Sequence, residues 1–308
     1  MVLTLASCDQ SLNPKGDYYE KYVLNCILQG DTTLQIALIS HSYDVQGFDP
    51  YKNTTDPVIA DADLRLWYND SVFVFRDSVV SRLGDSRYDD SLKIYYLKDI
   101  HIDFNKSIEI EALLPNGRRL NSSTTSAKEI IFDDENSSKV IPPVNTNKVY
   151  IGWNINSQNE FYLPKFIVTY FKKINGQSER HTFEIPLGYN QESGNYIPFY
   201  SRVSNQSSVS YDPEDIKRAL LSISEGDADK SNYSVLINNH VNVFALDQNL
   251  ARYYSANGQD NDFTVRLDES DYSNINGGFG VFGSYVLKSY TIRFTPEFIT
   301  ELGYTPVY

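Results

Sequence analysis

The chain has 308 residues, long enough for two domains that each bury a core. Its 24 Tyr and 16 Phe against a single Met favour strands and argue against an all-helical fold. Lys and Arg total 27 against 40 Asp and Glu, a formal charge of -13 whose field repels phosphate backbones and anionic surfaces, so no nucleic-acid partner is expected.

The first element is a leader. An apolar run ends Leu5-Ala6-Ser7-Cys8, the pattern of a bacterial lipoprotein signal peptide with its lipobox, in which the Cys is acylated and becomes the mature N-terminus. Cys8 is the expected lipidation site, and residues 1–16 a truncated leader and tether that lacks the basic n-region and most of the apolar stretch. No other stretch approaches the ~20 apolar residues of a spanning helix. The expected protein is therefore held in a membrane by lipid. With no C-x-x-C, the second cysteine, Cys26, reads as a small buried hydrophobe.

Residues 17–132 read as strand after strand. Runs at 18–29 and 32–40 flank Gly30-Asp31, and runs at 64–68 and 72–75 flank Asn69-Asp70-Ser71, both hairpin signals. Runs at 92–97 and 107–113 precede Pro115-Asn116-Gly117, a turn that leads into 118–122. Residues 133–147, charged at Asp133-Asp134-Glu135 and carrying Pro142-Pro143, are the expected exposed linker.

Residues 148–308 continue with strands at 149–153, 161–171, 181–185 and 234–244, Pro164 marking an edge or bulge in the second. Asp212 is the expected cap of a helix that opens on Pro213 and lines up Ile216, Ala219, Leu220 and Ile223 on one face. Asp247 is expected to cap a helix over 248–254, and a last helix over 296–302 closes at Gly303. The predicted fold is mainly β: an N-terminal immunoglobulin/fibronectin-like β-sandwich, then a second β-rich domain with two or three short helices.

The segment 273–285, SNINGGFGVFGSY, contains G-x-G-x-x-G at Gly278, Gly280 and Gly283. A dinucleotide site needs a strand before it and a helix after it; here a polar turn precedes and an alternating strand follows, so no cofactor is expected. Gly277, Gly278, Gly280 and Gly283 suit instead a loop or bulged strand whose backbone packs closely while Phe279, Val281 and Phe282 bury.

The same Ser-Asn-Ile-x-Gly-Gly-x-Gly-x-Phe-Gly segment, 273–283, resembles the signature of a Bacteroidota outer-membrane lipoprotein family, a domain-of-unknown-function family often encoded beside TonB-dependent receptors. Residues 56–67 and 114–120, with Ser123-Thr124-Thr125, resemble blocks of its first domain. The resemblance implies a place in the bacterial outer membrane, lipid-anchored on either its surface or its periplasmic face, and a tethered, non-enzymatic binding or accessory subunit whose partner is an outer-membrane TonB-dependent receptor. It supplies no catalytic residues.

Other chemistry is sparse. His41, His101, His181 and His240 form no ligand pair, and no metal is expected. Asp61 and Asp63 share a strand face, more simply a solvated one than a catalytic dyad. Asp227-Ala228-Asp229 opens like a calcium loop without its sixth-position Gly or twelfth-position acid. Thr32, Ser71, Ser78 and Ser91 each follow an Asp, in the Asp-Ser/Thr-apolar pattern of O-glycosylation in that phylum. Two alternatives stay open: an adhesin or fimbrial-type structural subunit, and a carbohydrate-active enzyme with two facing carboxylates.

Overall fold

Period-two alternation builds the first half of the chain. In β1 (Tyr22–Gln29) the side chains of Tyr22, Leu24, Cys26 and Leu28 are all buried, and β2 (Gln35–His41) repeats the pattern with Ala37 and Ile39. Then follow β3 (Asp63–Tyr68), β4 (Ser71–Val74), β5 (Arg76–Ser81), β6 (Ser91–Leu97), β7 (Ser107–Leu113) and β8 (Arg119–Thr125). Two antiparallel layers result, β1-β2-β6-β5 facing β4-β3-β7-β8, over a core that includes Leu24, Leu66, Ile110 and Leu120. This is the predicted sandwich. Each such aliphatic contributes about 1.5–3 kcal/mol on burial. The computed structural model describes residues 17–45, 47, 49–82, 86–88, 91–153, 160–227, 229–256 and 272–308; Cys8 and the leader lie outside them.

The second half adds β9 (Val140–Ile141), β10 (Val149–Gly152), β11 (Phe161–Ile174), β12 (Gln177–Ile185), β13 (Gly188–Glu192), β14 (Asn195–Phe199) and β15 (Ser208–Tyr211). After α1 (Pro213–Ser222) come β16 (Tyr233–Leu236), β17 (Asn238–Leu246), α2 (Gln248–Ala256), β18 (Phe282–Phe294), α3 (Pro296–Glu301) and β19 (Thr305–Val307). Asp212 caps α1 by accepting from the Glu214 N–H at 2.9 Å, and Ile216, Ala219 and Leu220 bury on one face, with Ile223 half-buried beyond the helix end. Thr295 caps α3, and Gly303, at φ +90°, ends it. The second core lies between the β11-β17-β18 sheet on one side and β10-β15, α1 and α3 on the other.

Three expectations are corrected. The two halves share one 11-stranded sheet, because β18 runs parallel to β1, with Cys26 opposite Phe282, while its residues 285–293 pair with the whole of β17. Ile275 and Phe282, placed by sequence in the second domain, are buried in the core of the first. Nor is 133–147 a free linker: Val140 and Ile141 pair with Arg293 and Phe294, and Ile141 is fully buried. Two apolar residues in a charged segment are enough to complete an open sheet edge, a detail that composition averages away. The expected strand at 234–244 is two strands, since Tyr170 faces Val235 but Ile167 faces His240, a slip in register on β11. Asn239 fills the break, accepting from the Thr169 N–H at 3.0 Å and donating to the Leu236 carbonyl at 2.6 Å.

Candidate functional site

The glycine segment is a seam between the halves. Phe279 N–H donates to the Tyr22 carbonyl at 2.8 Å, and the Leu24 and Cys26 N–H groups donate to the carbonyls of Phe279 and Val281 at 2.9 Å each. A Cβ on Gly280, whose φ is +109°, would collide with the Leu24 carbonyl oxygen, and one on Gly277 would collide with that of Arg119. Gly278 lies equally close to Tyr22, while Gly283 backs onto α2 at Asp247 and Leu250. The neighbours of these glycines serve the same seam. Asn274 accepts from the Phe282 N–H at 2.9 Å and donates to the Phe282 carbonyl at 2.7 Å, and Ile275 plugs the sandwich core.

Beneath the seam lies a buried carboxylate. Asp247 caps α2 through the Leu250 N–H at 2.7 Å, as its position predicts, and also accepts from the Ser284 N–H at 2.7 Å and the Thr124 hydroxyl of β8 at 2.6 Å. Burial nevertheless pushes its pKa from 3.8 up to about 6, against the pull of those donors. It borders a 460 Å³ cleft between the halves, whose other acid, Glu160, accepts from the Tyr162 hydroxyl at 2.6 Å and pairs with Lys128 at 2.8 Å. Both carboxylates are engaged in fixing the junction.

A larger cleft, 710 Å³, opens in the second half. Its position follows from Pro164. The Tyr162 N–H of β11 donates to the Ser204 carbonyl at 2.7 Å; two residues on, Pro164 faces the same side without an N–H, and the β12 ladder begins only at Phe166 opposite Ile185. The strand edge left open is one wall. The others are Trp153 after β10, β15 with Ser208 and Ser210, the 200–206 loop, and the base of the β13–β14 hairpin with Leu187, Asn190 and Phe199. That hairpin turns at Ser193 and Gly194, both at positive φ, and pairs with no other strand among the described residues. Tyr196, half exposed, is held by the Arg218 guanidinium 3.9 Å from its ring centre. Trp153 is 3% exposed, and its indole N–H meets no acceptor among the described residues. Of the residues lining this cleft only Arg202 carries a charge; serines, amides and aromatic rings make up most of the rest.

The structure brings the four motif glycines together, and leaves the remaining sequence candidates apart. Ser71 and Ser91 are exposed, whereas Thr32 and Ser78 are half-buried. Cys26 is buried, which pushes its thiol pKa far up and leaves it a hydrophobe. Asp63 is held by Arg65 at 2.6 Å rather than paired with Asp61. His41 contacts Glu20 at 3.1 Å, His181 stacks on Tyr170 and His240 meets Thr291; among the described residues no group of acids, His and Cys could hold a metal ion. Asp227 and Asp229 accept from the backbone of their own loop. The 710 Å³ cleft is absent from the sequence reading; Pro164 and the Ser193-Gly194 turn were its available signals.

No family profile and no curated protein matches the chain. Among solved structures, the full ectodomain of mouse nectin-like molecule 4 (Ig1-Ig3) is similar over 89% of this chain, at 8% identity and a TM-score of 0.20. The chain spans about 64% of that ectodomain's length, and a superposition this loose carries no argument about function.

Proposed function

We propose that the protein is a lipid-anchored cell-envelope subunit that binds a ligand without catalysis, beside an outer-membrane TonB-dependent receptor. The observation that carries the binding part is the 710 Å³ cleft, within the range of small-molecule sites and walled by strand edges together with the 200–206 loop. The anchoring part rests on Leu5-Ala6-Ser7-Cys8, and the association with a receptor on the 273–283 segment and the lipoprotein family it resembles. Both acids of the junction cleft accept from close donors of the surrounding elements, which supports a structural role for them. Among the described residues no helix is long and apolar enough to cross a membrane, so on this reading the anchor is the acyl chain.

The test is purification from native envelopes in mild detergent, with mass spectrometry of Cys8 and of the co-purifying chains. Acylation of Cys8 and a stoichiometric outer-membrane barrel are the expected results. An unacylated soluble protein removes the anchor, and recovery as homopolymers transfers the reading to an adhesin.

A further inference from the structure

We propose that the cleft below the β13–β14 hairpin binds a short, uncharged oligosaccharide. The inference rests on the binding reading above and names its ligand by elimination on the lining chemistry. A cation would require a carboxylate, and none is in the lining. An anion would find Arg202 alone, in a chain of net charge -13. A purely apolar ligand would strand the hydroxyls of Ser204, Ser208 and Ser210 and the amides of Asn190 and Gln206 away from water. An extended peptide adding to the open edge of β11 would meet Pro164, which has no N–H to offer, and Tyr162, whose N–H and carbonyl are already paired with Ser204.

What remains is a ligand that donates and accepts at many points and carries apolar faces between them. A sugar ring does both: its hydroxyls match side chains that are donors and acceptors at once, and its C–H faces pack on aromatic rings. Phe199, 39% exposed, and the half-buried Tyr200 supply such rings within the same walls.

The sequence contains only two tryptophans, so Trp67→Phe leaves Trp153, in the cleft wall, as the sole tryptophan reporter under tryptophan-selective excitation. The full chain carrying Trp67→Phe is titrated with neutral gluco-, xylo-, manno- and chito-oligosaccharides, with anionic oligosaccharides and with a peptide mixture, and hits are repeated by calorimetry. The expected result is saturable binding of at least one neutral series, weakened about tenfold by Gln206→Ala or Phe199→Ala, two exposed positions outside the core. Neutral binding indifferent to both substitutions overturns the proposal. Binding only of anionic sugars or peptides, sensitive to both substitutions, also overturns it but leaves the cleft a ligand site. Silence across all three classes overturns both readings.

Discussion

At Gly280 the backbone of the seam passes so close to β1 that no side chain fits, and its φ of +109° is one that L residues rarely adopt. Gly280→Ala is therefore expected to destabilise the protein by at least about 3 kcal/mol, through strain and a backbone collision together. Gly176→Ala, with φ of +82° but open space around it, should cost about 1 kcal/mol; urea midpoints of the two variants decide the matter. Asp247 makes a prediction of a different kind. Its folded pKa, about 6, lies above the ordinary 3.8, so between these values the folded state keeps a proton that the unfolded state has released. By linkage its contribution is full below about pH 4 and is lost as pH rises to 6, a fall of about 3 kcal/mol. The stability of the wild type relative to Asp247→Asn should decline by that amount from pH 4 to pH 7 in denaturant titrations. Parallel curves would show that the Leu250, Ser284 and Thr124 donors cancel burial.

Among the elements, the β13–β14 hairpin is the most separable, because its ladder from Gly188–Phe199 to Glu192–Asn195 pairs with no other strand among the described residues. Replacing residues 190–197 by an Asn-Gly turn should shift the unfolding free energy by only about 1 kcal/mol, chiefly the loss of the Arg218 contact with Tyr196. A collapse of the far-UV dichroism on this excision would mean that the hairpin is part of the core. Helix ends were readable in the sequence because a cap is a local interaction: Asp212 and Asp247 each satisfy an N–H within three residues. Hairpin turns at Asn175-Gly176 and Ser193-Gly194 are equally local, with the positive φ values that such dipeptides favour; the strands beside the first were expected at 161–171 and 181–185, whereas those beside the second, exposed at nearly every position, escaped the pattern.

For the whole molecule, the decisive feature is that β18 belongs to both cores. Phe282, at its start, is buried in the sandwich, and Phe294, at its end, is buried in the second half. The halves are therefore expected to unfold together. Trp67 lies in the sandwich and Trp153 in the second half, so the single-tryptophan variants Trp67→Phe and Trp153→Phe report on one half each. Coincident urea midpoints in the two, after correction for the cost of each substitution, are expected; two separate transitions would show independent domains. The sequence by itself determined the β class, the sandwich, the helix caps and the close packing of the glycine segment, because alternation, capping and turn chemistry act over a few residues. Only the tertiary structure decided which strands are neighbours: that 273–294 is stitched to β1 and β8, that Val140-Ile141 closes a sheet edge, and that Pro164 leaves a cleft open. Those pairings join residues far apart in the chain, and a strand's own pattern states which face it buries but not which strand lies beside it.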